Sequence, residues 1–446
     1  MPASVPPPAV PFREALGFWF RLGWISFGGP AGQIAIMHQE LVERRRWISE
    51  RRFLHALSFC MVLPGPEAQQ LATYLGWLLH RRWGGIVAGA LFVLPSLLVL
   101  GALSYVYMAH GDVPAVRAVL WGIKPVVVAL VVHAVWRLGS RALRTPFHWV
   151  LGLGALGALM VGGVPFPLVV LVAAVAGFLV QRTTPGWLAP LGAHRPASEA
   201  PRAPALIDDD TPTPPHARPS RWGLITVLVA GLALWGLAYL PMRVLGAGGT
   251  YGAMAGFFTK AALVTFGGAY SVLPYVYQAA VHQYGWLTPP QMIDGLALGE
   301  TTPGPLIMVV AFVGFVGGWN QQALGPEALA LAGVLGAVVA TFFTFLPSFV
   351  FILAGAPLVE ATRDDLRLTA PLEAISAAVV GVILQLALVL GGHIFWPAGL
   401  ASAPEWASLL VGVTAAVALF RFRLGAVAVV GGGAVAGLLR LLLGAG

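Results

Sequence analysis

Two Pro-Gly-Pro triplets interrupt apolar stretches of this sequence, at places where a helix can present its first amides to a ligand. Pro64, Gly65 and Pro66 form one triplet, and Pro303, Gly304 and Pro305 form the other. Proline suits the first position of a helix, because the N–H that it lacks would have no partner there. The amides that follow each triplet then point out of a helix N-terminus, which carries about half a positive charge and attracts oxyanions. Two Gly-Gly pairs add further breaks and further amides: Gly28 with Gly29, and Gly267 with Gly268.

Positively charged side chains lie within the same apolar stretches. Lys260 and Arg21 each stand seven residues before a Gly-Gly pair, and Lys124 is the other of only two lysines. A cation inside a membrane is costly and usually serves an ion path. We expect Lys260 and Arg21 to contribute to an anion site, and Lys124 and Asp294 to belong to an ion path. The alternative is that the long side chains snorkel to lipid headgroups.

Carboxylates and hydroxyls flank the two triplets. Glu67 directly follows the first triplet, and Glu300 shortly precedes the second. A carboxylate that competes with a bound anion for a helix N-terminus would couple anion binding to protons, so we predict Glu67 and Glu300 as coupling residues. The alternative for Glu67 is that it only balances its helix dipole. Thr301 and Thr302 are expected to donate hydrogen bonds to the oxyanion.

The stretch that carries most of these residues occurs twice in the chain. Residues 257–305 align without a gap on residues 18–66, at an offset of 239 positions, and Trp286 falls opposite Trp47. Glycine and proline free backbone groups that lipid cannot satisfy, so such breaks persist only inside protein or beside a wet cavity. Matched breaks in a duplicated apolar unit are typical of transporters built from two repeats. The alternative is that the breaks only kink packed helices.

The composition is that of a membrane protein. Of the 446 residues, 58% are hydrophobic and only 10% are charged, and apolar stretches of membrane-spanning length recur along the chain. The net charge of +8 comes from arginines at segment ends and in loops, without a basic stripe that would suit nucleic acid. Cys60 is the only cysteine, and the histidines show no metal-binding spacing. We predict an all-α polytopic membrane protein without a cofactor or a metal.

The apolar segments divide the chain into two halves and a connection. We predict a first repeat over residues 1–181, a disordered cytoplasmic linker over 182–220, one transmembrane helix over 221–250 and a second repeat over 251–446. The linker is polar and rich in proline, so it buries too little apolar surface to fold. The single unpaired helix inverts the second repeat relative to the first and gives about 13 membrane segments.

Arginine-rich loops predict which side of the membrane each end faces. Most arginines lie inside if the N-terminus is cytoplasmic, and the C-terminus then lies on the opposite side of the plasma membrane. The arginines of residues 44–52 share the cytoplasmic side only if the broken units are re-entrant hairpins that turn at mid-membrane. Residues 53–63 span about 16 Å as a helix, roughly half of a hydrocarbon core of about 30 Å. We therefore favour re-entrant hairpins.

Four stretches carry long ordered motifs: SFGGPAGQIA, WISERRFLHALSFCMVLPGPEAQQLATYLGW, TFGGAYSVLPYV and GWLTPPQMIDGLALGETTPGP. They resemble the chromate ion transporter (CHR) family in its long two-domain form, and the resemblance covers residues 13–138 and 251–391 well. The resemblance implies a plasma-membrane exporter of chromate, a tetrahedral dianion similar to sulfate, with protons as the coupling ion. Membrane lipids would surround the protein, no nucleic acid is expected, and a homodimer is one assembly left open.

The residues by themselves support an oxyanion transporter and leave other classes open. A membrane-embedded lipid scramblase or a lipid-phosphate-handling protein would also use hairpins with basic residues. A lipid enzyme would need a clustered nucleophile or metal set, and the sequence contains neither a nucleophile elbow nor a P-loop. A purely structural membrane protein would leave the matched breaks unexplained. We therefore predict a transporter without enzyme activity.

Overall fold

The structure is a computed structural model that describes most of the chain. It describes residues 9–27, 29–184, 204–212, 214–244, 249–266, 269–361, 369–399 and 401–444. Three glycines of the predicted breaks lie outside the described residues, namely Gly28, Gly267 and Gly268. Residues 185–203, in the predicted linker, also lie outside them.

Regular structure in the described residues is helical, apart from an isolated β-bridge between Ile48 and Ile207. The first half contains α1 (Phe12–Ile25), α2 (Gly29–His38), α3 (Glu50–Val62), α4 (Glu67–His110), α5 (Pro114–Ala142), α6 (Pro146–Met160) and α7 (Phe166–Thr183). A connecting helix follows, α8 (Arg221–Val244). The second half contains α9 (Thr250–Leu263), α10 (Leu273–Tyr277), α11 (Pro289–Thr301), α12 (Val309–Asn320), α13 (Leu329–Ala361), α14 (Thr369–Phe395), α15 (Trp406–Phe420) and α16 (Ala426–Leu442).

The aligned sequences adopt matching local structures. Helices α3 and α11 each have 13 residues and begin 239 positions apart. A π-helical segment precedes each of them, Gln39–Arg44 in the first half and Gln278–Gln283 in the second, at the same offset. Because π-helical turns are rare, their recurrence at one offset is a specific structural likeness between the halves.

Helices α3 and α11 also begin and end in the same way. The Ser49 hydroxyl accepts a hydrogen bond from the Arg52 amide at 3.3 Å, and Thr288 forms a capping box with Gln291. At the other end the chain turns through Gly65 and Gly304, whose φ angles of 129° and 103° lie in the region that favours glycine. The sequence thus starts each helix with a hydroxyl cap and stops it at a Pro-Gly-Pro triplet.

Helix α4 consists of two arms that fold back on each other. His80 and Arg81 have non-helical backbone angles, which separates a first arm, residues 67–79, from a second arm, residues 82–110. The two arms pack so closely that a Cβ on Gly84 would collide with the carbonyl group of Gly76. Small residues permit this approach between membrane helices.

Six helices in the described residues are long and apolar enough to cross a membrane, and four shorter apolar helices of 10–17 residues accompany them. The six are α4, α5, α7, α8, α13 and α14. The protein is therefore an all-α integral membrane protein.

Helices of the two halves exchange partners. Helix α5 of the first half packs on α15 and α16, while α14 of the second half packs on α6 and α7. Glycine makes these contacts close: a Cβ on Gly437 of α16 would collide with the Ala118 carbonyl of α5. On the other side, a Cβ on Gly177 of α7 would collide with Ala374 of α14. Neither half therefore packs as an independent unit.

The segment between α7 and α8 differs from the disorder predicted for residues 182–220. In its described part, the Ile207 amide donates to the Trp47 carbonyl at 3.1 Å, and the Ser49 amide donates to the Ile207 carbonyl at 3.0 Å. Ile207 and Ala217 are buried. This described part is therefore paired with the loop that precedes α3, and disorder over the whole of residues 182–220 stays a prediction.

Candidate functional site

Each Pro-Gly-Pro triplet forms a backbone hydrogen bond with the residue that stands two positions before the Gly-Gly pair of the opposite half. The Gly65 amide donates to the Thr265 carbonyl oxygen at 2.8 Å, and the Gly304 amide donates to the Ser26 carbonyl oxygen at 2.8 Å. Ser26 and Thr265 are themselves 239 positions apart, and both are fully buried. The triplet of each half is therefore bound to the break of the other half, and one centre contains parts of both.

A serine from the opposite half packs on each triplet glycine. A Cβ on Gly65 would lie 2.8 Å from the Ser348 hydroxyl oxygen, and a Cβ on Gly304 would lie 2.8 Å from the Ser96 Cβ. Ser96 belongs to the second arm of α4, and Ser348 belongs to α13. Glycine is required at both triplets, since any side chain would displace these serines.

Two buried glutamines bind backbone carbonyls of the centre, and a third binds one of the serines that pack on the triplets. Gln33 Nε2 donates to the Gly304 carbonyl at 2.6 Å, and Gln70 Nε2 donates to the Pro64 carbonyl at 2.8 Å. The Ser348 hydroxyl donates to Gln69 Oε1 at 2.7 Å. The glutamine side chains hold the two turns in place and make the centre polar.

Several polar atoms of this centre have no partner within the part of the chain that the structure describes. They are Gln33 Oε1, Gln70 Oε1 and Ser96 Oγ, and all three residues are fully buried. An unpaired buried polar group costs about 1–3 kcal/mol, so such atoms normally bind water or a ligand. A polar guest between the two triplets would satisfy them.

Two carboxyl groups, those of Glu67 and Glu300, lie beside this centre. Glu300 Oε1 accepts a hydrogen bond of 2.8 Å from the Tyr270 hydroxyl. Arg137, on α5, interacts electrostatically with the carboxyl groups of both Glu67 and Glu300. The charge of Arg137 therefore acts on two acids that lie beside different triplets.

Each triplet is followed by a helical N-terminus that has no side-chain cap. Pro66 precedes α4 and Pro305 precedes the 3₁₀ turn Leu306–Met308, which leads into α12. Neither proline supplies a side-chain hydrogen bond to the amides that follow. These uncapped amides can stabilise an anion.

The other predicted site residues are exposed, use their polar atoms locally or pair with each other. Lys260 on α9 and Arg21 on α1 are exposed. The hydroxyls of Thr301 and Thr302 donate to carbonyls of their own helix, at 2.7 and 3.0 Å. The assignment of these four residues to anion binding stays a prediction. Lys124 forms an ion pair with Asp294 at 3.1 Å, so the structure brings those two predicted residues together.

Sequence reasoning missed Arg137 and Tyr270. Arg137 stands in a run of arginines that reads as a loop, yet α5 continues to Ala142 and keeps the residue inside the helix. Tyr270 stands two residues after Gly268 of the second Gly-Gly pair, and a polar aromatic residue at that position is the signal that sequence offers. In the described residues no group of three or more His, Cys, Asp or Glu could hold a metal ion.

Comparison with known proteins agrees with this architecture. The sequence model of the family described as Chromate transporter matches residues 13–178 and 252–438, which contain both triplets. A chromate transport protein of Pseudomonas aeruginosa is 33% identical over 391 residues, which cover 85% of this chain and 81% of that protein. No solved structure matches the chain.

Two further relatives carry related names. A chromate transport protein of Cupriavidus metallidurans is 28% identical over 386 residues, covering 86% of this chain and 83% of that protein. A probable chromate transport protein of Synechococcus elongatus is 26% identical over 387 residues, with 86% of each chain covered. Both halves match one family, and the crossed centre is built from the motifs of both. The chain belongs to the chromate transporter family, in its long two-domain form.

Proposed function

We propose that this protein is a secondary active transporter that exports chromate across the plasma membrane and is driven by the proton gradient. The observation that carries the proposal is the crossed pair of hydrogen bonds, Gly65 to Thr265 and Gly304 to Ser26. They bring two uncapped helical N-termini and buried polar atoms to one centre, and the charge of Arg137 acts on the two acids beside it. Fixed dipoles and a positive charge in a low-dielectric surround favour a dianion such as chromate over a monoanion.

The two halves are proposed to be inverted repeats, residues 1–181 and 251–446, joined by the linker and by α8. Helix α8 has no counterpart in either half, so the number of crossings between the halves is odd. Helices α1, α3, α11 and α12 have 12–14 residues. At 1.5 Å per residue they span about 18–21 Å, too short for a core of about 30 Å. Their length supports re-entrant hairpins within an arrangement of about 13 membrane segments.

The hairpin of the first half is proposed to open to the cytoplasm, on the same side as the linker and the N-terminus. The hydrogen bonds between Ser49, Trp47 and Ile207 support this side, because they join the arginine-rich loop to the linker directly. Both segments must then lie on one face of the membrane, and the positive-inside tendency makes that face cytoplasmic. The C-terminus follows on the opposite side.

Proton coupling is proposed to operate through Glu67 and Glu300. As carboxylates they neutralise Arg137 and repel an incoming dianion, whereas as neutral carboxyls they leave the guanidinium free to attract it. Chromate and ionised carboxylates thus compete for the same positive charge. Export driven by proton entry then requires three steps: the empty site takes up protons from the outside, the neutral acids admit chromate on the cytoplasmic side, and the protons leave to the cytoplasm before the loaded site opens to the outside. The ionised acids would then repel the dianion and promote its release outside.

Transport into inside-out vesicles tests the proposal. Vesicles that contain the protein should accumulate labelled chromate, faster with an acidic lumen than without a pH gradient, while sulfate competes. Vesicles without the protein provide the background rate. Chromate accumulation at the background rate under both conditions would refute the proposed function, and movement of labelled phospholipid instead would favour lipid handling.

A further inference from the structure

Helix α11 is held by a charged contact outside the anion centre. Lys124 Nζ on α5 lies 3.1 Å from Asp294 Oδ1, and Asp294 is buried. The Tyr107 hydroxyl, near the end of the second arm of α4, donates to Asp294 Oδ2 at 3.0 Å. This contact, Asp294 with Lys124 and Tyr107, is named the α11 latch.

Helix α3 is held by a second charged contact. Arg52 Nη1 lies 3.5 Å from Glu360 Oε2 at the end of α13, and both side chains are at most 5% exposed. The Tyr74 hydroxyl also donates to the Glu360 carboxylate. His55 Nε2 lies 2.9 Å from the Val359 carbonyl oxygen. This contact, Arg52 and His55 with Val359, Glu360 and Tyr74, is named the α3 latch.

The two latches occupy equivalent places with the halves exchanged. His55 on α3 and Asp294 on α11 are 239 positions apart, which is the offset of the aligned halves. Val359 and Tyr107 are 252 positions apart, as are Ser348 and Ser96, which pack on the triplet glycines. Each hairpin helix is therefore fastened to the end of the long helix of the other half.

We infer that the two latches are the two gates of the transport cycle, one on each side of the anion centre. The inference rests on the proposed transport function and on inverted halves, which place equivalent contacts on opposite faces of the membrane. The charges suit a gate, because Arg52, Glu360 and Asp294 are buried, and a buried charge that loses its partner must be hydrated. Opening one latch would admit water and the anion from that side only.

A contact found only in the α3 latch indicates on which side of the membrane each latch lies. Arg52 also donates to the Thr211 carbonyl of the linker. The α3 latch therefore lies on the linker side, proposed to be cytoplasmic, and the α11 latch lies on the far side.

Thiol accessibility from each side of the membrane tests the gates. A reporter cysteine at Thr302, placed in a Cys60→Ala background, is treated with a membrane-impermeant thiol reagent in inside-out and right-side-out vesicles. Glu360→Gln should raise the modification rate about tenfold from the linker side, and Asp294→Asn about tenfold from the far side. Modification accelerated from the same side by both variants, or by neither, would overturn the inference.

A matched variant separates gating from general loosening. Glu405 also forms an ion pair, at 2.9 Å with Arg440, but lies in neither latch. Glu405→Gln should leave the modification rate unchanged, and an equal increase would contradict the gates. Glu360→Asp and Asp294→Glu keep the charges, so the modification rates should return toward that of the reporter protein with intact latches. If neither variant restores the rate, the gates are also contradicted. The reagent needs no chromate, so a protein that does not move chromate still reports whether the latches gate access.

Discussion

The Gly65 amide lies 2.8 Å from the Thr265 carbonyl oxygen, in the opposite half of the chain. The same bond joins Gly304 to Ser26 when the halves are exchanged. A backbone amide buried without a partner is unfavourable, so the glycine amide of each triplet depends on a carbonyl of the other half. The centre consequently exists only when both halves are present and packed together.

Alanine at either triplet glycine should impair transport to a similar degree. The positive φ angles cost a non-glycine residue about 1–3 kcal/mol, and the added Cβ would displace Ser348 or Ser96. Gly65→Ala and Gly304→Ala are expected to lower the chromate transport rate about tenfold or more. Gly101→Ala is the control, because a Cβ there meets no other atom within 4 Å. Normal transport by either triplet variant would contradict the shared centre.

The sequence was sufficient to predict the matched elements but not how they cross. An offset of 239 positions located α3, α11 and both triplets, because turns and caps depend on local residue types. The exchange of α5 and α14 between the halves depends on close glycine contacts such as Gly437 with Ala118. Those contacts join residues that are far apart in the chain and leave no periodic signal.

Sequence was also insufficient to predict which positively charged side chain acts on Glu67 and Glu300. Intramembrane lysines are rare enough to attract attention, so Lys260 was predicted and Arg137 was not. The structure places Lys260 on an exposed face, and it places Arg137 where it interacts with both Glu67 and Glu300. Helix length determined the outcome, since α5 extends past the point where its apolar sequence gives way to arginines.

Removal of the Arg137 charge should affect transport more than removal of the Lys260 charge. A charge-assisted hydrogen bond to an anion contributes about 1.5–3 kcal/mol, so Arg137→Gln should weaken chromate uptake at least about tenfold. Lys260→Ala, at equal protein content, should reduce uptake much less if its ammonium only faces the headgroups. Initial rates of chromate uptake at several concentrations measure both. A larger loss of uptake in Lys260→Ala than in Arg137→Gln would indicate that Lys260, and not Arg137, attracts the anion.

Neutral variants of the two acids should separate anion movement from proton coupling. Glu67→Gln and Glu300→Gln mimic the protonated carboxyls, so the anion should bind Arg137 without a proton. We expect chromate–chromate exchange to persist while acceleration by a pH gradient is lost. Counterflow of labelled chromate, with and without the gradient, measures the two activities. An unchanged response to the gradient in both variants would show that Glu67 and Glu300 do not couple transport to protons.

A larger residue at a packed glycine of α16 should destabilise the exchanged helices. Gly437→Val would force the valine side chain against the Ala118 carbonyl, and overpacking of this kind costs about 1–3 kcal/mol. Gly432→Val, on an exposed face of the same helix, adds the same atoms without a neighbour within 4 Å. Thermal unfolding of the purified proteins in detergent should show a lower midpoint for Gly437→Val alone. Equal midpoints would contradict the packing of α16 on α5.

The stoichiometry of chromate binding tests the central claim, that both halves build one anion site. Calorimetric titration of the purified protein should give one chromate per chain. Gly65→Ala and Gly304→Ala should each remove that binding entirely, because each variant breaks the same centre. Two chromate ions per chain, with one retained in each variant, would show that each half binds its own anion and would contradict the account.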